Sequence, residues 1–151
     1  MSSTNQHGFT LIELMTVITI VAVISAIALP VYQDYTSKSQ IYSAYQSLSA
    51  LRTPLELAIL ERKSINSAAD LGWKDDSSTL LQENPIIMAN ITTGEANITA
   101  ILNKRVNAVA LNVEISLARQ SNGLWTCLVK KSQSLGWKNE FVPTACSIVH
   151  P

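Results

Sequence analysis

Glu13 is a carboxylate at the head of an apolar run, preceded by Gly8-Phe9-Thr10-Leu11-Ile12. A charged side chain within a bilayer costs roughly 2.5 to 3.5 kcal/mol at its centre on insertion scales, so a residue of this kind is a functional candidate by default. Glu13 lies within about one helical turn of Phe9. A cut after Gly8 would leave Phe9 with a new positive amine, able to pair with Glu13 of its own chain or of a neighbour. In an apolar environment of low effective dielectric such a pair rewards correct axial register and penalises misplacement, which makes the carboxylate an assembly determinant. The bland alternative is an interfacial carboxylate that ends an ordinary anchor and reaches headgroups.

The two cysteines, Cys127 and Cys146, have eighteen residues between them, too many for a CxxC redox or zinc pair. Exported, they would form a disulfide contributing roughly 3 kcal/mol in the chain-entropy model; in the cytosol they would be two buried thiols. Lys130, Lys131 and Lys138 stand near Trp125 and Trp137, a basic and aromatic grouping that could bind DNA, although solvated lysines beside packed tryptophans are the commoner arrangement. Asp70, Asp75 and Asp76 have unconvincing spacing for calcium, and Asn90-Ile91-Thr92 and Asn97-Ile98-Thr99 fit a glycosylation triplet that is frequent by chance. His7 and His150 sit at opposite ends, and no Ser-His-Asp, Walker or zinc pattern exists, so the sequence implies neither an enzyme nor a cofactor.

These residues are carried on a chain of 151 amino acids, room for one modest domain with a long helix attached. Eleven basic and eleven acidic side chains cancel, so no global field draws the protein to nucleic acid or anionic lipid. The twenty residues between Glu13 and Asp34 contain no charge. Phe9 to Val31 would make a helix of roughly 35 Å, enough to cross a hydrocarbon core. Ala26-Ile27-Ala28 resembles a secretory cleavage site, but the region before the apolar run has no lysine or arginine, an acid sits inside the run, and helical patterning continues past the supposed cut. Apolar residues recur at Ile41, Ala44, Tyr45, Leu48, Leu51, Leu55, Ala58 and Ile59, one face of a helix.

Phe9 to about Leu60 therefore reads as one helix, apolar all round in its first half (9–31) and amphipathic in its second (32–60). Pro30 and Pro54 each remove a backbone hydrogen bond and predict a kink or loosened turn. In the remaining segment, 61–151, Glu61 to Gly94 reads as a long surface connection. Strands follow at Ala96 to Leu102, at the alternation Val109, Leu111, Val113, Ile115, Leu117, and at Leu124 to Val129 after an Asn122-Gly123 turn. A loop from Ser132 to Ala145 precedes a short last strand at Cys146 to Val149. The fold class is α+β: a long N-terminal helix packed on a small antiparallel sheet.

Gly8-Phe9-Thr10-Leu11-Ile12-Glu13 followed by an apolar helix with Pro30 resembles the class III signal of type IV prepilins, and the short leader, residues 1–8, resembles the type IVa subclass. The motif covers roughly Gly8 to Tyr35; beyond it the likeness is one of layout. What the resemblance implies is cleavage by a prepilin peptidase between Gly8 and Phe9, N-methylation of Phe9, and Glu13 as the family's acidic assembly residue. It also implies a Cys127–Cys146 disulfide closing a C-terminal loop. The expected function is that of a structural subunit, held in the inner membrane before assembly machinery builds it into a helical homopolymer at the cell surface for adhesion, twitching motility and DNA uptake. The alternatives are a minor pilin acting as a DNA receptor and a pseudopilin of type II secretion.

Overall fold

A computed structural model of the chain describes residues 8–74, 80–103 and 105–149. The leader residues before Gly8, the Asp75-Asp76-Ser77-Ser78 cluster and His150 lie outside them. Two compact units are distinguished, Met1–Asp34 and Tyr35–Pro151.

The first helix, α1, spans Leu11–Ser49 and carries Pro30 in its interior. Proline has no N–H to offer the carbonyl of Ala26 one turn back. In the Met1–Asp34 unit every apolar side chain of the helix, from Leu11 onward, is exposed.

The second unit is built on a seven-residue rhythm. Ile41, Ala44, Leu48, Leu51, Leu55 and Ala58 are buried, alternating steps of three and four that keep one stripe turned to a core. The stripe continues across a break, because the chain turns at Ala50 and Leu51 before a second helix, α2, at Arg52–Leu60. One helix to about Leu60 with a kink or loosened turn at Pro54 is the sequence expectation, and the turn at Ala50–Leu51 has that local cause. Pro54 cannot donate to the Ala50 carbonyl, and Leu51 N–H bonds to Leu48 O at 3.1 Å, a three-residue closure that tightens the end of α1. Pro54 then occupies the first turn of α2, where a missing N–H costs little.

Five strands follow: β1 Ile86–Asn90, β2 Glu95–Ile101, β3 Glu114–Arg119, β4 Trp125–Lys130 and β5 Cys146–Val149, side by side in chain order. Their inward residues include Ile98 and Ala100, Ile115 and Leu117, Cys127 and Val129, which share one cluster with the α1–α2 stripe. Truncating such a fully enclosed side chain, as in Leu117→Ala, should lower stability by about 2 to 5 kcal/mol in a denaturant titration.

Three expectations are corrected here. The stretch from Glu61 to Gly94 is not all irregular: it contains a 3₁₀ turn, Ala68–Leu71, with Asp70 and Ser67 forming a capping box, and then β1. β1 escapes a period-two reading because Ile86, Ile87, Met88 and Ala89 are apolar on both faces of an edge strand. The alternation from Val109 enters the sheet only at Glu114. Before it the backbone turns, with Ala110 N–H on Asn107 O at 2.8 Å and Asn112 in the left-handed region at φ 59°. Lastly, the sheet is mostly rather than wholly antiparallel, since β5 runs parallel to β4. Residues 131–145 supply the dozen or more residues that a parallel return requires.

Candidate assembly site

Thr10 and Glu13 form the start of α1. Glu13 Oε2 accepts from Thr10 N–H at 2.9 Å and from Thr10 Oγ1 at 2.8 Å, while Thr10 Oγ1 lies 3.3 Å from Glu13 N–H as its acceptor. This is a capping box, two of the helix's orphan donors satisfied reciprocally by side chains three residues apart. The sequence reading found Glu13 but not Thr10, although Thr10-Leu11-Ile12-Glu13 carries the T-x-x-E signature. Oε1 of Glu13 accepts no hydrogen bond among the described residues, so one carboxylate oxygen holds the cap and the other stays open to a cation.

Phe9 is 88% exposed beside this cap. Gly8 sits where an added Cβ would meet nothing within 4 Å, and its backbone is not in the left-handed region. The fold therefore makes no demand for glycine at this position. Over residues 11–31 the apolar side chains are bare around the whole circumference of the helix. A soluble monomer rarely exposes a contiguous apolar surface of this kind; it marks a membrane or an association interface.

Cys127 and Cys146 are a disulfide, on residues that are register partners across the parallel β4–β5 pair, with Cα atoms 4.4 Å apart. The bond ties the last strand to the sheet and closes the loop between them. Cys127→Ser should cost about 3 kcal/mol, read as a lower denaturant midpoint of the full chain, and reductant should bring the parent to the same midpoint.

A second constellation, which the sequence reading missed, locks α2 to the sheet. Glu56 accepts from Arg119 Nε at 2.8 Å, Arg119 Nη2 at 2.9 Å and Trp125 Nε1 at 2.7 Å. Arg119 Nη1 also donates to the carbonyl of Gly94, in the β1–β2 turn. A Cβ on Gly94 would come within 3.1 Å of that nitrogen, and its φ of 74° is one that side chains disfavour, so glycine is needed there. Arg52 lies over Trp125 at 5.3 Å and over Tyr45 at 5.9 Å. No spacing rule links residues 56, 119 and 125; only the sheet register makes them neighbours.

The Arg119 hydrogen bonds hold the Glu56 carboxyl below its ordinary range, burial opposes them, and Trp125 and the guanidinium charge reinforce them. Because the folded value is depressed, the stabilisation is present above the unfolded carboxylate pKa and is lost as pH falls through the folded value. Glu56→Gln should therefore cost about 2 kcal/mol at pH 7. The gap between variant and parent should close well below about pH 4. Denaturant midpoints at both pH values would expose a gap independent of pH, the contrary outcome.

The lysine grouping is only partly free. Lys130 approaches Glu114 at 3.8 Å and Lys138 approaches Glu140 at 4.0 Å, whereas Lys131 has no ion-pair partner among the described residues. Trp125 faces Arg52 and Glu56, and Trp137 meets Phe141 edge-on at 5.9 Å, so both rings have partners within the fold. No group of three His, Cys, Asp or Glu among the described residues could hold a metal ion.

A capped carboxylate leads a helix whose apolar residues 11–31 are bare, and a disulfide-closed sheet domain follows. A family model described as pilin (bacterial filament) matches residues 37–147, and one described as the prokaryotic N-terminal methylation motif matches residues 3–29. The chain is 39% identical to fimbrial protein Q of Moraxella bovis over 93% of its own length and 97% of that protein. It is 37% identical to a fimbrial protein of Pseudomonas aeruginosa and to the type IV major alpha-pilin of Moraxella bovis, each over 93% of this chain and 96% of the relative. The chain belongs to the pilin family and is a structural subunit of a bacterial filament. The methylation motif implies processing by a prepilin peptidase.

Proposed function

We propose that this chain is the major subunit of a type IVa pilus, stored in the inner membrane and released into the filament after cleavage between Gly8 and Phe9 and methylation of the Phe9 amine. The observation that carries the reading is the bare apolar surface of α1 over residues 11–31, led by a carboxylate with one unengaged oxygen. Such a helix is at home in lipid, and it is equally at home among copies of itself. Because lipid tails are as apolar as leucine, leaving the bilayer for the filament gains little from the hydrophobic effect, and packing and polar pairing must set the geometry. Glu13 supplies the pairing. Oε2 keeps the helix start capped through Thr10 while Oε1 accepts from the Phe9 amine of a neighbouring subunit.

The names of the relatives, fimbrial proteins and a type IV major alpha-pilin, support a major structural role over a DNA-receptor or secretion role. Adhesion, twitching motility and DNA uptake are uses of the finished fibre, with the assembly machinery of the inner membrane as partner, and the chain itself is not a catalyst. Fractionation tests this directly. An antibody to the sheet domain should find the chain in the inner membrane and in filaments sheared from the cell surface. Recovery only as a soluble periplasmic protein would refute the reading.

A further inference from the structure

The turn between β3 and β4, residues 120–124, carries the one Asn-Gly pair of the sequence, Asn122-Gly123. Gly123 N–H donates to Gln120 O at 2.9 Å and Gln120 N–H to Leu124 O at 2.8 Å, a short loop closed by a glycine at φ 86°. Asn122 is exposed, and its carboxamide oxygen accepts from Leu124 N–H at 2.9 Å. An Asx turn of this kind bends the side chain back along the main chain and draws electron density from its carbonyl carbon, Cγ. Gly123 N and Asn122 Cγ are the two atoms whose bonding closes a five-membered succinimide ring.

Closing that ring requires Gly123 N to lose its proton, and a cation stands beside it. Gln120 O accepts from Arg119 Nη1 at 3.2 Å as well as from Gly123 N–H, so a guanidinium shares the oxygen that holds the proton and weakens its hold. A Cβ built on Gly123 would lie 3.5 Å from Arg119 Nη2, which places the charge against this residue. A neighbouring positive charge favours the ionised form of an acid, here the amide anion. The other asparagines lack this setting. Asn66 is exposed and precedes a small residue, yet Ser67 N–H is fixed on Asp70 Oδ2 at 2.9 Å, where a negative charge opposes loss of the proton. Asn107 precedes Ala108, but its carboxamide is tied to Thr36 Oγ1 at 3.3 Å. The remaining asparagines among the described residues precede proline, which has no N–H, or the bulkier isoleucine, lysine, valine and glutamate.

We propose that Asn122 is a site of spontaneous deamidation in the folded domain, and that its main product, isoaspartate, loosens the lock between Glu56 and Arg119. Gly123 N bonds to Asn122 Cγ, its proton passes to solvent hydroxide, and the side-chain amide leaves as ammonia. Water then opens the succinimide. Opening at Cγ gives aspartate; opening at the main-chain carbonyl routes the backbone through Cγ and lengthens it by one methylene. One water is consumed and one ammonia released, with no oxidant or reductant. Either product sets a new carboxylate in the turn that adjoins Arg119, whose guanidinium already serves Glu56, Gly94 O and Gln120 O. The longer backbone of isoaspartate also disrupts the closure of Gln120 on Leu124, directly beside the Arg119 and Trp125 register pair that grips Glu56.

Incubation of the full chain at mildly alkaline pH, in nonionic detergent with its disulfide intact, tests this when peptides are then mapped by mass spectrometry and isoaspartate is detected with a protein-isoaspartate methyltransferase. Asn122 should convert at least about tenfold faster than Asn66, with isoaspartate the larger product. Methyl acceptance should vanish in Asn122→Gln, whose longer side chain cannot form the five-membered ring and which keeps the glycine of the turn. Converted chains, separated from the parent by their added negative charge, should unfold at a lower denaturant midpoint, and Asn122→Gln incubated alongside should keep its own. An intact Asn122, conversion of Asn66 at an equal rate, aspartate without isoaspartate, methyl acceptance that survives in Asn122→Gln, or an unchanged midpoint in the converted chains would each overturn the proposal.

Discussion

Glu13→Ala is expected to leave cleavage after Gly8 intact and to reduce surface filaments about a hundredfold. In the proposed filament the processed Phe9 amine carries a positive charge. Among apolar helices that charge has no water to turn to, and leaving it without its carboxylate costs about 3 kcal/mol for each subunit added. That penalty is roughly two powers of ten in the equilibrium for each addition. The alanine variant also loses the cap on Thr10, so Glu13→Gln is the informative companion. Glutamine keeps the capping box and drops the charge. If the glutamine variant is as poorly piliated as the alanine variant, the charge is what matters; if it assembles normally, Glu13 serves only to start the helix. Counting filaments by electron microscopy, beside an immunoblot that separates precursor from processed chain, reads both effects.

Gly8→Val is expected to abolish processing altogether. The fold gives valine no reason to fail, since a Cβ at this position meets nothing within 4 Å. Whatever requires glycine must be a second molecule that takes the backbone on either side of the bond, and a processing peptidase is such a molecule. Uncut precursor should accumulate in the membrane with its sheet domain folded and its disulfide formed. No filaments should appear, because the Phe9 amine proposed to pair with Glu13 would still be a peptide nitrogen. Efficient cleavage of the valine variant would show that glycine is not what marks the bond.

The local features were the legible ones. The apolar run, its leading acid and the Asn122-Gly123 turn follow from residue type and short spacing, and Gly123 indeed takes a positive φ of 86° with Gln120 N–H on Leu124 O at 2.8 Å. The stripe from Ile41 to Ala58 was equally plain, because a helix writes its buried face into the sequence every three or four residues. Strand limits were harder to see. Val109 to Val113 alternates as a strand would, yet Asn112 in a left-handed conformation turns the chain before pairing begins at Glu114. β1 was invisible because its side chains are apolar in both directions.

Long-range partners were not legible at all. Glu56 lies 63 residues before Arg119 and 69 before Trp125, and it meets them only because the β3–β4 register aims those two side chains at α2. The parallel setting of β5 is of the same kind. A four-residue strand does not record its direction, and the length of residues 131–145 permits either one. The break at Ala50–Leu51 lay between these extremes: Pro54 signalled a disturbance, but its consequence falls a full turn earlier, where the orphaned carbonyl is.

Intact-mass spectrometry of protein from sheared filaments, with and without reductant, addresses the whole scheme in one measurement. The expected mass is that of a chain starting at Phe9, heavier by one methyl group and lighter by the two hydrogens lost in joining Cys127 to Cys146. A functional filament built from chains that still carry Met1 through Gly8 would contradict it.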